Sequence, residues 1–208
     1  MDYLRSPKAI YQQSFATIKN EADLGRFSLD EQEVAIRLIH ACGMVNIADD
    51  LVFSDGAVAA GRKALANSAS IITDVQMVAK GIIERNLVHE NKVVCGLDMA
   101  GAREFAKEQN TTRSAAGIEM LANKITGAII VIGNAPTALF HLLEMIEKGE
   151  AKPALILGFP VGFVGAVESK QALIESDFGV SFITLTGRRG GSAMAAAALN
   201  AVAVGLAI

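Results

Sequence analysis

The first part of the chain has apolar residues at helical spacing. Ser6 followed by Pro7 makes a cap and first-turn pair that predicts the start of a helix. Ile10, Phe15 and Ile18 then follow at near-helical intervals, which is typical of one buried face. The sequence therefore predicts an N-terminal helix.

A second helix is marked by its two ends. Ser28 and Glu31 have the spacing of a capping box, and Gly43 is a residue that can end the helix. A third helical segment is expected after Ser54. The chain thus has a helical N-terminal segment.

From residue 70 the pattern changes to short apolar runs without polar alternation. These runs are rich in Ile, Val and Leu, and most precede a helical segment; they are Ser70–Thr73, Lys92–Leu97, Ala128–Ile132, Ala154–Gly158 and Ser181–Leu185. Continuous apolar strands separated by helices indicate a parallel sheet covered on both faces. We predict a three-layer α/β fold, flavodoxin-like or Rossmann-like, with a mainly parallel five-stranded sheet of undetermined order. With no linker or repeat, residues 1–208 are expected to form a single domain.

Composition excludes several classes of function. Of the residues, 51% are hydrophobic and 20% charged, and the net charge of −3 gives no support for a nucleic-acid partner. Cys42 and Cys95 have no repeating spacing, so a reduced cytoplasmic setting is expected. No signal peptide is visible, and the Ala-rich stretch 193–208 falls short of the roughly 20 apolar residues of a membrane span, which favours a buried helix.

Distinctive loops follow the last three predicted strands: Gly133–Thr137, Gly158–Gly165 and Gly187–Ser192. In the first, Asn134 is a candidate helix cap. Glycines and helix N-termini leave free N–H groups for an anion, and Arg188 and Arg189 add planar donors. Each loop alone is more simply an ordinary tight turn. Because ligands bind at the carboxyl edge of such sheets, the three together favour a large, flat, anion-bearing ligand.

His40 is the candidate acid–base residue. It lies near the end of the second helix, and Arg37, three positions earlier, shares its face. A lone histidine there is more often a cap or core residue. However, a second cation on the same face is costly unless an anion lies nearby, and a carboxylate-rich ligand would hold the imidazole protonated. His89 is expected in solvent and His141 packed within a helix.

Other chemistries lack their motifs. No His, Asp and Glu constellation has metal-ligand spacing, and no Gly-x-Ser-x-Gly elbow occurs. Neither a Walker A loop nor an early Gly-x-Gly-x-x-Gly is present, so a nucleotide site is poorly supported. What remains is acid–base work by one histidine, without a metal or a covalent intermediate.

Several long motifs resemble the precorrin-8X methylmutase (precorrin isomerase) family. The matching stretches occur in the expected order over most of the chain: 10–15, Arg37–Gly43, Asn110–Ala116, Gly133–Glu144, Pro153–Lys170 and Gly187–Asn200. The blocks GNAPTALFHLLE and PALILGFPVGFVGAVESK are highly specific. Arg113 matches the arginine of the family's Asn-Thr-Arg-Ser motif, with one extra Thr before it that shifts this part of the match by one residue.

The resemblance implies an isomerase of cobalamin biosynthesis. Its reaction would move a methyl group from C-11 to C-12 of precorrin-8X or cobalt-precorrin-8, giving hydrogenobyrinate or its cobalt counterpart, without a cofactor. It implies His40 as the catalyst and a homodimer with the site near the subunit interface. The expected substrate-binding residues are Ser14, Arg37 and Arg113, to which we add Asn134 and Arg188 by their place at the ligand edge. Phe159, Val161 and Phe163 are expected to form an apolar floor.

Two other functions stay open on the sequence. One is a non-catalytic corrinoid carrier, which would bind the macrocycle without converting it. The other is a nucleotide-binding α/β protein that uses the Gly187–Ser192 loop.

Overall fold

The computed structural model describes residues 3–87 and 89–207. Helix α1 spans Pro7–Glu21, and the Ser6 side chain accepts a hydrogen bond from Ala9 N. Helix α2 spans Leu29–Cys42, with both hydrogen bonds of the Ser28 capping box formed and Gly43 in the left-handed conformation at its end. The predicted helical start of the chain and its caps are therefore confirmed.

A six-stranded sheet forms the middle layer. The strands are β1 Leu51–Phe53, β2 Ile71–Thr73, β3 Val93–Cys95, β4 Ile129–Ile132, β5 Leu155–Gly158 and β6 Phe182–Leu185. Their order is β1-β6-β5-β4-β2-β3, and all neighbouring pairs except β1–β6 are parallel. The five predicted strands are β2 to β6, so the expected mainly parallel α/β sheet is confirmed.

The prediction of five strands was wrong by one. Strand β1 is only three residues long and pairs antiparallel with β6, Leu51 opposite Leu185. So short an edge strand is easily missed in the sequence, because its apolar run has only three residues and its strand character comes from pairing with β6. Because β1 runs antiparallel to β6, β1 begins at the edge of the sheet where β6 ends.

Helices cover both faces of the sheet. Alternate strand residues serve opposite faces: Ile129 and Val131 join one core cluster, whereas Ile130 and Ile132 join the other. The first cluster packs under α1, α2, α3 (Ala57–Ala66), α4 (Gln76–Gly81) and α10 (Ser192–Val204). The second packs under α6 (Arg113–Met120), α7 (Ala122–Ile125), α8 (Pro136–Glu147) and α9 (Ala166–Glu175), and α5 (Ala102–Glu108) packs beside α6. The three-layer prediction is therefore confirmed.

The Ala-rich C-terminal helix α10 is buried, as expected. Its small side chains let it pack closely against α2 and α4, and Ala195, Leu199 and Val202 are fully buried. Within the described ranges, no helix is both long and apolar enough to cross a membrane. The 3-10 helix Val45–Asp50, called here the connector helix, links α2 to β1.

Two glycines set the distance between α6 and the end of β3. A Cβ atom built on Gly117 would lie 2.6 Å from the carbonyl carbon and oxygen of Gly96, and one on Gly96 would lie 2.9 Å from the backbone of Gly117. We therefore expect Gly117→Ala to lower the free energy of unfolding by about 1–3 kcal/mol, because rigid backbone must move to admit the methyl group. Urea denaturation measures this, with Gly25→Ala as the control, since a Cβ at Gly25 meets its nearest atom at 3.5 Å. A stability loss no larger than the control's would contradict the close approach.

Candidate active site

The three loops singled out in the sequence lie side by side. They follow β4, β5 and β6, which are consecutive neighbours in the sheet, so their carboxyl ends meet at one edge. The second and third loops also bond directly: Gly191 N donates to Phe159 O at 2.8 Å, and Gly162 N donates to Arg188 O at 3.3 Å. Gly190 has no room for a side chain, because a Cβ there would lie 2.3 Å from Phe159 O. Close backbone approach thus requires a glycine at position 190.

The first loop is held by Asp74, a residue that the sequence analysis missed. Asp74 directly follows β2 and is fully buried. Its Oδ1 accepts from Gly133 N at 3.0 Å, and its Oδ2 accepts from Asn134 N and Ala135 N, both at 2.8 Å. Burial raises the pKa of the Asp74 carboxyl, and these backbone N–H groups act in the opposite direction. The N–H groups expected to be free for an anion are therefore already bonded to a protein carboxylate.

The expected role of Asn134 as helix cap was wrong. The N-cap of α8 is Ala135, with no side-chain capping bond, and Pro136 begins the helix. Asp74 takes over the donors that Asn134 was expected to cap. The Asn134 residue is instead exposed at the sheet edge.

Arg113 lies close to this loop. It is the first residue of α6, and it is exposed. Its neighbour Thr112 caps that helix by accepting from Ala115 N at 3.2 Å, and the Thr112 hydroxyl bonds the hydroxyl of Thr137 at 2.8 Å. This hydroxyl pair ties the start of α6 to the first turn of α8.

Arg188 points over an exposed aromatic ring. Its guanidinium carbon lies 5.2 Å from the centroid of Phe163, which is 84% exposed. Val161 is also exposed in the same loop, at 42%. Phe159, by contrast, is fully buried in the core, so its expected place in an apolar floor was wrong. Stacked under a cation, Phe163 offers a flat apolar surface with a carboxylate-binding group beside it.

His40 lies in the last turn of α2 and is held by α1. Its Nδ1 is 2.7 Å from Ser14 Oγ, and its ring packs 5.2 Å from Tyr11 and 5.4 Å from Phe15 between ring centroids. Its Nε2 has no hydrogen-bond partner within residues 3–87 and 89–207, and His40 is exposed. When Ser14 donates to Nδ1, the neutral ring carries its proton on Nε2. Tyr11 becomes a ring neighbour of His40 only through the packing of α1 on α2, which residue spacing does not reveal.

The electrostatic setting of His40 disfavours its charged form. Burial lowers the pKa of the imidazole from its ordinary 6.5, and the charge of Arg37 lowers it further. Without a ligand the ring is therefore less readily protonated than a histidine in water.

Arg37 has partners that the sequence did not predict. Its Nε donates to Gly205 O and its Nη2 donates to Ala207 O at 2.5 Å, just beyond the end of α10. It is 9% exposed, and burial lowers the pKa of its guanidinium, while the Glu33 carboxylate is among the groups that raise it. The negative partners expected for Arg37 are thus the carbonyl dipoles beyond α10 and the Glu33 carboxylate, so a ligand anion is not required.

A surface cleft of about 600 Å³ opens beside His40. Its walls come from α1 and the end of α2; Leu4, Ile10, Gln13, Ser14, Thr17 and Gly43 are among the residues that line it. Most of these side chains are apolar or uncharged, so the cleft can hold an apolar ring edge close to the imidazole.

The predicted site residues therefore form two groups. Ser14 and His40 are in contact at the α1–α2 cleft, while Arg113, Asn134 and Arg188 lie at the sheet edge. In the described part of the chain, no hydrogen bond or ring contact joins His40 to the second group. Nor does any cluster of three His, Cys, Asp or Glu suited to a metal ion occur there.

Comparison with known proteins assigns the chain to a family. The family model described as CbiC, precorrin-8X methylmutase, matches residues 9–204. The chain belongs to the precorrin-8X methylmutase family. The sequence resemblance is thereby confirmed, and members of this family are isomerases of cobalamin biosynthesis.

Individual precorrin-8X methylmutases match along nearly their whole length. The chain is 55% identical to the precorrin-8X methylmutase of Pseudomonas aeruginosa, with 98% of each covered, and 50% identical to that of a Sinorhizobium species, with 97% and 96% covered. The cobalt-precorrin-8 methylmutase of Priestia megaterium is 37% identical, with 95% and 88% covered. The crystal structure of precorrin-8x methyl mutase from Thermus thermophilus superposes with a TM-score of 0.85 at 40% identity, with 94% of each chain covered.

Proposed function

We propose that this methylmutase moves the methyl group from C-11 to C-12 of precorrin-8X, with His40 as general acid, to give hydrogenobyrinate. The observation that carries the proposal is the imidazole itself. Its Nδ1 is held by Ser14, its Nε2 has no hydrogen-bond partner among the described residues, and the exposed residue lines an apolar cleft. This is the arrangement of an oriented proton donor, since one nitrogen is fixed and the other faces the ligand space.

The proton transfer follows from this geometry. With His40 as imidazolium, Nδ1–H donates to Ser14 and Nε2–H donates to a ring nitrogen of the macrocycle. The ring system becomes electron-poor, which eases a suprafacial 1,5-migration of the methyl group. The proton then returns to Nε2, so substrate and product carry the same atoms. General-acid help contributes about two to four orders of magnitude, and positioning of the macrocycle must supply the rest.

The substrate's carboxylates are assigned to the sheet edge. Arg113, Asn134 and Arg188 are exposed donors there, and Phe163 gives an apolar surface for the macrocycle. Arg37 is not assigned a direct contact with the substrate, because two of its N–H donors are already bonded to backbone carbonyls. Its charge lowers the pKa of His40, so that only a carboxylate-bearing ligand makes the imidazole an effective donor.

The two groups of residues are brought together, in this proposal, by a homodimer. The His40 cleft of one subunit would face the Arg188 edge of its partner, completing the site across the interface. The support is that His40 and the three residues of the sheet edge are exposed, and that the hydrogen bond and ring contacts of His40 found among the described residues are all to its own α1.

Mixed dimers test this arrangement. Heterodimers of His40→Ala and Arg188→Ala chains, isolated with two different tags, should recover about half of the wild-type activity per dimer, since one of their two sites combines two intact halves. At substrate concentrations well below KM, the His40→Ala homodimer should stay near background, and the Arg188→Ala homodimer should be slow because its KM is raised. Heterodimers no more active than the mean of the two parents would show instead that each site lies within one chain.

The pH dependence of turnover is a further expected result. The pKa of free His40 lies below 6.5, so kcat/KM should fall about tenfold per pH unit above that pKa, as the proton donor is lost. The kcat profile should fall at a higher pH, because bound carboxylates raise the imidazole pKa. Rates measured between pH 5 and 9 check both limbs. Coincident limbs would contradict the role given to the ligand's charge.

The metal-free macrocycle is the proposed substrate. The relatives named precorrin-8X methylmutase are 55% and 50% identical to this chain, whereas those named cobalt-precorrin-8 methylmutase are 34–37% identical. Incubating the purified protein with each macrocycle and following the visible absorption change tests this choice. Faster conversion of the cobalt form would reverse it, and tight binding without conversion of either would favour a carrier.

The setting of the enzyme is part of the proposal. Cys42 and Cys95 are both free thiols, as expected in a reducing compartment. The net charge of −3 lends no support to a nucleic-acid partner. We therefore propose a cytoplasmic enzyme whose ligand is the corrinoid.

A further inference from the structure

Arg188 and Arg189 are neighbours in sequence with different surroundings. Arg188 is exposed over Phe163, whereas the guanidinium of Arg189 turns back toward the protein. Its Nη1 donates to Asn46 Oδ1 at 2.9 Å, and its Nη2 bonds and pairs with the carboxylate of Asp50. The guanidinium of Arg189 is therefore bonded within the protein and is not available to a ligand.

Both partners of Arg189 belong to the connector helix that follows α2. Arg26 bonds the same segment from elsewhere, donating to the carbonyl oxygens of Ala48 and Leu51 at 2.5 and 2.8 Å. Burial raises the pKa of the Cys42 thiol, and the charge of Arg189 is among the opposing influences, so Arg189 also lies near the last turn of α2. The third loop is thus tied to the segment that leaves the His40 helix.

Lys170 supports Arg189 from α9. Lys170 is fully buried, and its Nζ donates to Arg189 O at 2.6 Å. Burial lowers the pKa of Lys170 to about 8, against the charge of Asp50. A buried ammonium needs hydrogen-bond acceptors, and by bonding this carbonyl Lys170 holds the backbone of Arg189 in place.

We propose that Arg189 is a positioning residue, which sets the guanidinium of Arg188 for the substrate's carboxylate by clamping their shared loop to Asn46 and Asp50. The backbone bond from Gly162 N to Arg188 O fixes the same residue on its other side. This inference rests on the proposed function, because it assumes that Arg188 binds substrate. It assigns Arg189 no contact with the macrocycle.

A double-mutant cycle separates positioning from simple destabilisation. Arg189→Met should raise KM about tenfold, with kcat changed less than about threefold, because carboxylate binding is impaired while His40 is unaffected. In an Arg188→Ala background, the same change should alter KM less than about twofold. Arg189→Lys should recover KM only partly, since one ammonium cannot replace a planar fork across two acceptors.

Arg62→Met is the matched control. Like Arg189, Arg62 bonds two side chains through its guanidinium, here Asp30 at 2.7 Å and Glu33 at 2.9 Å. The Arg62→Met change should leave KM unchanged. Where Arg189→Met does not fold, Asn46→Ala removes one of its acceptors and should show the same dependence on Arg188. An equal loss in both Arg188 backgrounds would overturn the inference. No effect of Arg188→Ala itself would instead refute the proposed role of Arg188.

Discussion

Replacing His40 by alanine should lower kcat by about two to four orders of magnitude while leaving the protein folded. The loss follows from removing the proton donor, whose contribution is of that size in general-acid catalysis. His40 is exposed but bonds Ser14 and packs on Tyr11 and Phe15, so the free energy of unfolding should fall by only about 1–2 kcal/mol. Single-turnover absorption measurements with precorrin-8X, paired with urea denaturation, check both expectations.

A second substitution separates the proton from the shape. In His40→Asn an amide group can replace Nδ1 as the partner of Ser14, yet it has no ionisable proton to give. We expect the same loss of kcat as with alanine. His89→Ala is the matched control, since His89 is also exposed. Near-normal conversion by His40→Ala would contradict the catalytic role of His40. The protein would then convert the macrocycle by a mechanism that does not use this proton donor.

Local chemistry made much of the fold predictable. The Ser28–Glu31 capping box and Gly43 define α2 through interactions within a few residues, and the structure forms them as expected. The buried parallel strands were visible because both of their faces need apolar residues. Strand β1 was missed because its three residues are defined by a partner far along the chain. The order of the strands could not be predicted either, because it also depends on pairing between segments far apart in the chain.

The candidate site, like the fold, was predictable where it depends on local sequence and not where it depends on tertiary packing. His40 and the strand-edge loops stood out by residue type and spacing, but their partners depend on packing. Arg37 was expected to need a ligand anion, whereas the end of α10, about 170 residues away, supplies the carbonyls. Arg188 and Arg189 looked equivalent in sequence, and only the connector helix distinguishes them.

Asp74 gives the clearest case of a residue whose importance depends on strand order. It precedes Gly133 by 59 positions, and the two meet because β2 lies beside β4. An acidic residue directly after an apolar strand was the available signal. The same adjacency makes Asp74 the loop's fixed support, because all three N–H groups leading into α8 converge on its carboxylate.

We expect Asp74→Ala to lower the free energy of unfolding by about 3–5 kcal/mol. The change leaves three N–H groups without their acceptor in a largely buried site, and each unsatisfied donor costs about 1–3 kcal/mol before relaxation. Guanidinium denaturation measures the loss. The exposed Asp177→Ala serves as control and should change stability by no more than about 0.5 kcal/mol.

Asp74→Asn distinguishes acceptor geometry from bulk. Both carboxylate oxygens accept N–H donors, but an amide replaces one of them by an NH₂ group that faces a donor. The asparagine variant should therefore lose stability even though it fills the same volume. Below its unfolding temperature it should also bind substrate more weakly, because the backbone that presents Asn134 is no longer fixed. If Asp74→Asn matched the wild type in both measurements, packing rather than the three hydrogen bonds would hold the loop.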